Sequence, residues 1–235
     1  MAWAGLIRVI TIDDDRTMNL HGRHIEAAFP GLRVVSRCIQ DHPEGVHDAA
    51  TETTAAPLVV RLAEEFRDEG ASAVLISCVA DPGVVEASRR LRIPVLGAGA
   101  ATAAIAAGLG GKVGVVGISD VVPEAMAAVL GGRFVAYSRP EGVSNTLDLL
   151  DPAVKDAVLS AAREVACAGA SVIALACTGY ATIGIASSIR EATGLHVVDP
   201  VIALGLFGYY AAVLGAAKPG VLEGHAPAVP EARKP

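Results

Sequence analysis

Gly70-Ala71-Ser72-Ala73-Val74-Leu75-Ile76-Ser77-Cys78 and Gly169-Ala170-Ser171-Val172-Ile173-Ala174-Leu175-Ala176-Cys177 read as two versions of one segment, with the cysteines 99 positions apart. Each opens on a glycine suited to end a helix, continues through a β-prone apolar run and closes on a cysteine. A unit that recurs in this way signals a duplicated architecture.

The likeness extends outward from the two segments. Arg8-Val9-Ile10-Thr11-Ile12 resembles Lys112-Val113-Gly114-Val115-Val116, and Gly31-Leu32-Arg33-Val34-Val35 resembles Gly132-Arg133-Phe134-Val135-Ala136. Ile93-Pro94-Val95-Leu96-Gly97 resembles Leu195-His196-Val197-Val198-Asp199. Four predicted strands thus recur in one order at nearly constant spacing. Helical segments lie between them, at His21–Phe29 and Pro123–Leu130 after the first strand of each half. Ala55–Glu69 carries Leu58, Val59, Leu62 and Phe66 at helical spacing, and its counterpart Pro152–Ala168 carries Val154, Val158, Leu159 and Val165. Pro57 and Pro152 are read as first-turn residues, with Asp151 as an N-cap and Gly70 and Gly169 as C-terminal glycines.

Alternating strands and helices predict parallel sheets with right-handed crossovers. The expected fold is α/β, with two pseudo-symmetric lobes, each a four-stranded parallel sheet flanked by helices. The first lobe spans 1–97 plus 203–221, the second 98–202, and 222–235 forms a flexible tail rich in Pro, Gly and charge. Ligands of open α/β sheets bind beyond the carboxyl ends of the strands. Cys78 and Cys177 both stand at such ends, so the active site is expected in the cleft between the lobes.

Composition narrows the class. The chain is 52% hydrophobic but only 4% aromatic, which suits Ala-, Val- and Leu-rich packing of helices on parallel sheets. A net charge of −6 and the lack of a Lys/Arg block argue against nucleic acid as a partner. Mean hydropathy is +0.48, yet the most apolar stretch, Val95–Gly111, is broken by five glycines and too short to span a bilayer. No signal-peptide pattern opens the sequence, so a cytoplasmic protein without membrane contact is expected. Cys38, Cys78, Cys167 and Cys177 contain no CxxC pair, which leaves little support for a zinc site or disulfide framework.

An isolated cysteine is usually a small buried hydrophobe, and Cys38 and Cys167 fit that description. Duplication sets Cys78 and Cys177 apart. A thiol before a helix start is acidified by oriented backbone N–H groups. One thiolate could remove a proton from one face of a carbon while the other thiol returns one to the opposite face, inverting a stereocentre. No metal and no cofactor are needed for that chemistry. A redox disulfide is the competing reading, and it requires Cα atoms within about 7 Å.

Other residues are weighed beside the pair. Asp13, Asp14 and Asp15 follow the first predicted strand and either cap a helix or recognise substrate N–H groups. Val79 and Ala80, next to Cys78, are expected along the substrate. Ser119, in the matching loop of the second half, could hold a carbonyl oxygen or cap a helix. Thr178 and Gly179 would supply a hydroxyl and a close backbone N–H. His21, His24, His42 and His47 match no recognised ligand spacing, although one of them could line the cleft mouth.

Taken together, Ser77-Cys78-Val79-Ala80-Asp81-Pro82-Gly83, Cys177-Thr178-Gly179-Tyr180 and Asp199-Pro200-Val201 resemble the aspartate/glutamate/hydantoin racemase superfamily, and most of all its hydantoin racemase branch. The resemblance covers nearly the whole chain apart from the tail. It implies a cofactor-independent racemase or epimerase of 5-substituted hydantoins or a related amino-acid derivative. Cys78 would act on the D enantiomer and Cys177 on the other. The chain departs from the branch at Thr11-Ile12-Asp13-Asp14-Asp15-Arg16, where an Asn-Pro-Asn-Thr-like loop is usual. It departs from glutamate racemases at Gly179, where those carry a histidine. Rival readings are an amino-acid racemase, a maleate-type isomerase, an arylmalonate-type decarboxylase, or a two-lobed binding protein without activity. The expected partner is a small-molecule substrate, and a homo-oligomer, by default an isologous dimer, is the expected assembly.

Overall fold

In a computed structural model that describes residues 2–214, two parallel sheets stand side by side. Strands β1 (Trp3–Arg8), β2 (Arg33–Cys38), β3 (Ala73–Ser77) and β4 (Val95–Gly97) form the first, in the order β2-β1-β3-β4. Strands β5 (Val113–Gly117), β6 (Phe134–Ser138), β7 (Val172–Ala176) and β8 (His196–Val198) form the second, in the matching order β6-β5-β7-β8. Every strand pair is parallel. Strands β3 and β7 are buried at all their positions, which is why both read as continuous apolar runs rather than alternating ones.

Ten α-helices connect the strands among the described residues. They are α1 (Asp15–Met18), α2 (Leu20–Ala28), α3 (Ala49–Asp68), α4 (Val84–Arg90) and α5 (Ala98–Gly108), then α6 (Glu124–Leu130), α7 (Val154–Cys167), α8 (Gly179–Thr182), α9 (Ala186–Thr193) and α10 (Pro200–Tyr209). The helix that leaves each sheet packs on the other one. Helix α5 leaves β4 and lies on β7 and α6, whereas α10 leaves β8 and lies on β3 and α2. This exchange places α2, α5, α6 and α10 in a shared layer. One apolar cluster therefore runs through both lobes, from Leu6 and Leu75 to Val115, Ala174 and Leu204. Separate clusters fill the outer faces beneath α3 and α7. None of the described helices is long and apolar enough to cross a membrane. The tail expected over 222–235 lies outside the described residues.

Gly70 and Gly169 end α3 and α7 with φ of +88° and +96°, a conformation costly for any residue with a Cβ. Asp151 accepts from the Ala153 N–H at 2.9 Å in the turn ahead of α7, but the N-cap is Ala153, so Asp151 and Pro152 precede the helix rather than capping it and opening its first turn. Asp199 caps α10, accepting from Val201 and Ile202 at 2.8 and 3.1 Å.

Two readings of the first lobe are corrected. The first strand is Trp3–Arg8, not Arg8–Ile12. Its pairing sets Ala4 opposite both Val34 and Ala73, and Gly5 lets the Phe66 ring of α3 pack directly on the backbone. Arg8 is thereby carried to the carboxyl edge of the sheet, level with Ser77. Helix α3 also begins earlier than the sequence suggests. Asp48 and Thr51 form a reciprocal cap, the Thr51 N–H donating to Asp48 at 2.8 Å and the Asp48 N–H to Thr51 Oγ1 at 3.1 Å. Pro57 thus sits inside the helix, on its exposed side, where water can reach the carbonyl deprived of its donor.

Candidate active site

The carboxyl ends of β3 and β7 meet. Thr178 Oγ1 donates to the Ser77 carbonyl at 3.2 Å, so the residue after one cysteine holds the residue before the other. A second tie lies beneath it. His21 of α2, with no exposed surface, reaches Ser77 Oγ through Nδ1 and Thr182 Oγ1 through Nε2, each at 2.8 Å. Burial and the neighbouring Arg8 charge push the His21 pKa well below the usual value, so the ring is neutral. Together these contacts fix the two strand ends against each other across the lobe boundary.

Above this tie is a cleft of about 280 Å³ that both Cys78 and Cys177 line. All four cysteines are free thiols. The two in the cleft are buried, which pushes both thiols upward, Cys78 the more strongly. Their surroundings differ. Cys177 Sγ accepts from the Gly179 N–H at 3.3 Å, lies 3.6 Å from Thr146 Oγ1 and feels the positive charge of Arg8. Each of these favours the thiolate. Cys78 gains support from the Ala80 N–H alone, while Asp81 and Glu52 add negative charge around it.

Asp81 anchors the loop that carries Cys78. Its backbone is left-handed (φ +56°), and its carboxylate accepts from the Gly99 and Ala100 N–H groups at 2.7 and 2.8 Å, at the start of α5. Burial outweighs those bonds and lifts its pKa to about 7. Gly99 is required there, because a Cβ would collide with the Val79 carbonyl oxygen.

The floor and mouth of the cleft carry opposite charge. Arg8 lies on the floor, 5% exposed, with Nη1 donating to the Thr17 and Met18 carbonyls at 3.0 and 3.2 Å. Burial lowers its pKa to about 10. Asp48, Glu52 and Glu124 line the mouth. Burial pushes the Glu52 carboxyl up, and the charge of Glu124, which belongs to the other lobe, adds to that shift.

Of the residues expected from the sequence, Cys78, Val79, Ala80, Ser119, Cys177 and Thr178 line the cleft. Two of these spend their hydroxyls within the protein. Thr178 is committed to Ser77, and Ser119 donates to the Val121 carbonyl at 2.8 Å. Gly179 turns its N–H to the Cys177 sulfur rather than outward. Asp13 and Asp14 do not join the cleft. Both are exposed, and Asp14 caps α1 by accepting from the Thr17 N–H and hydroxyl at 2.8 and 2.6 Å. His47 lines the cleft mouth, and among the described residues no His, Cys, Asp or Glu cluster could hold a metal ion. Thr146, Glu52 and Glu124 carry no signal in the sequence, Arg8 reads there as a strand residue, and His21 as one of four histidines without a ligand spacing. Single residues at unrepeated positions leave no pattern to find.

A cleft with one thiol from each of two matched strand ends can present acid and base to a single substrate atom. Comparison with known proteins agrees with the architecture. Allantoin racemase from Klebsiella pneumoniae superposes with a TM-score of 0.79 at 20% identity, covering 92% of this chain and 89% of that one. Allantoin racemase from Pseudomonas fluorescens gives 0.75 at 24% identity, with 91% and 92% covered. A crystal structure of arylmalonate decarboxylase gives 0.62 at 17% identity, with 93% and 96% covered. At these identities the likeness is one of fold. By sequence, no curated protein matches the chain. The profile described as Asp/Glu/Hydantoin racemase matches residues 20–204, from α2 to the first half of α10. The chain belongs to the Asp/Glu/hydantoin racemase family.

Proposed function

We propose that the protein is a cofactor-independent racemase or epimerase of 5-substituted hydantoins or a closely related amino-acid derivative. Cys78 and Cys177 exchange protons with opposite faces of the stereocentre. The observation that carries this reading is the meeting of the two cysteine-bearing strand ends in one cleft, tied by Thr178 and His21. In one direction the Cys177 thiolate takes the α-proton, and the C–H electron pair moves onto the adjacent carbonyl oxygen as an enolate. The Cys78 thiol then gives its proton to the other face. Product leaves with Cys177 as thiol and Cys78 as thiolate, a state ready for the reverse reaction and restored to the starting one by solvent proton exchange.

The charge around the cleft supports a hydantoin over an acidic amino acid. Asp48, Glu52 and Glu124 at the mouth repel a second carboxylate but accept from ring or substituent N–H groups. The allantoin racemases among the structural neighbours act, by their names, on a substrate of that kind. The test is incubation in D₂O with single enantiomers of 5-substituted hydantoins, allantoin, aspartate and glutamate, followed by optical rotation and α-deuteration. Loss of rotation with deuterium uptake is expected for the hydantoin class. Turnover of aspartate or glutamate alone would replace the proposed substrate, and no exchange with any compound would remove the racemase reading.

A further inference from the structure

Arg8 has no charge to balance it. Among the described residues it forms no ion pair, and Nη1 alone has hydrogen-bond acceptors, the Thr17 and Met18 carbonyls. Its Nε and Nη2 have no protein partner there, and neither is among the fully buried atoms left unpaired, so both keep access to solvent from a residue that is 5% exposed and lines the cleft. A guanidinium held this way is costly unless something anionic visits it. The groups around it are His21 from α2, Cys38 from β2 and Cys177 beyond β7. None of these is a carboxylate. The groups that face Cys177 in turn are Arg8, the Thr146 hydroxyl, Cys78, and the phenols of Tyr137 and Tyr180, whose pKa values are raised so that both stay neutral. Arg8 is the one cation among them.

We propose that Arg8 serves the reaction twice: it supports the Cys177 thiolate, and its free N–H donors hold the substrate carbonyl oxygen as that oxygen becomes an enolate. The geometry fits both roles, since a planar fork with one arm fixed to the backbone is already oriented before charge develops. The ligand class follows: a carbonyl compound with an acidic α-C–H, entering carbonyl first, with its N–H groups toward the carboxylates of the mouth. The enolate role rests on the racemase reading, whereas the thiolate role stands without any substrate.

The experiment separates the two. Wild type, Arg8→Gln and Arg8→Lys are alkylated with iodoacetamide from pH 6 to 10, and each cysteine is followed by peptide mass spectrometry. Glutamine keeps an amide donor on a shorter side chain but carries no charge. The Arg8 charge favours the Cys177 thiolate behind the Gly179 N–H and the Thr146 hydroxyl, so Cys177 alkylation near pH 7.5 should slow by about threefold or more in Arg8→Gln. It should recover largely in Arg8→Lys, with Cys78 changed by less than about twofold. In wild type, Cys177 should react at a pH about one unit or more below Cys78. Equal wild-type profiles overturn the thiolate role even if Arg8→Gln does not fold, as does an unmoved Cys177 profile in a folded Arg8→Gln. The same variants are then assayed for α-deuteration of a hydantoin turned over by wild type. A fall in kcat larger than any rise in KM, partly restored by lysine, supports the enolate role; unchanged kcat in Arg8→Gln overturns it. If wild type exchanges no hydantoin, the racemase reading and the enolate role fail together, while the alkylation profiles still decide the thiolate role.

Discussion

His21→Leu removes the residue that ties the two cysteine-bearing strand ends. The substitution keeps the side-chain volume similar and deletes both hydrogen bonds, leaving Ser77 Oγ, 2% exposed, without a partner, while Thr182 is half-buried and can regain water. An orphaned buried hydroxyl costs about 1–3 kcal/mol and each lost bond about 1 kcal/mol, so a loss of about 2–4 kcal/mol is expected at pH 8. The pH dependence isolates the mechanism. The folded-state pKa of His21 is depressed, so its contribution is fully present above the unfolded value of about 6.5 and is lost as pH falls below it. There the unfolded chain binds a proton that the native ring does not. Wild type should lose about 1.4 kcal/mol per pH unit through His21, and His21→Leu should not. Urea unfolding at pH 8, 7, 6 and 5.5, read as the difference between the two proteins, cancels the other titrating groups. The gap should narrow steadily below pH 6.5. A gap that stays constant refutes the neutral buried ring, and a gap under about 1 kcal/mol at pH 8 refutes the structural tie.

The pH–rate profile of the free enzyme should rise between pH 7 and 9, because burial pushes both thiols upward and the base form grows as pH increases. A flat kcat/KM over that range would mean that neither thiol is the base. Two glycines of α5 should respond with opposite sign to alanine. Gly99→Ala drives a Cβ into the Val79 carbonyl and should cost about 1–3 kcal/mol and most of the activity, since the Cys78 loop must move. Gly108→Ala meets nothing within 4 Å and should stabilise by about 0.5–1 kcal/mol with activity unchanged. Thermal melts with rate assays distinguish the two.

The duplication was legible because it is written in buried strands and helix-end glycines, where burial on both faces and a positive φ leave few choices of residue. The Gly70 and Gly169 positions follow directly from that. The first strand was misplaced because Ala4 to Ile12 is apolar almost throughout, and composition cannot say which residues pair. Long-range register with β2 and β3, together with the fit of Phe66 onto Gly5, decides it. That shift of a few residues is why Arg8 read as the start of a strand instead of a cation at the cleft floor. The Asp13–Asp15 loop drew attention through its charge, yet its carboxylates face solvent and one simply caps a helix. His21 reads in the sequence only as one of several histidines without a ligand spacing, because a buried histidine between two hydroxyls becomes visible only once two lobes are packed.

The two-base account makes its sharpest statement about half-reactions. Cys78→Ala and Cys177→Ala are each incubated in D₂O with either enantiomer of a hydantoin turned over by wild type, and α-deuteration and inversion are followed together. Neither variant should invert its substrate, and any residual α-deuteration should fall on opposite enantiomers in the two variants. A variant that still racemises at the wild-type rate, or residual exchange on the same enantiomer in both, would contradict the assignment of one cysteine to each face.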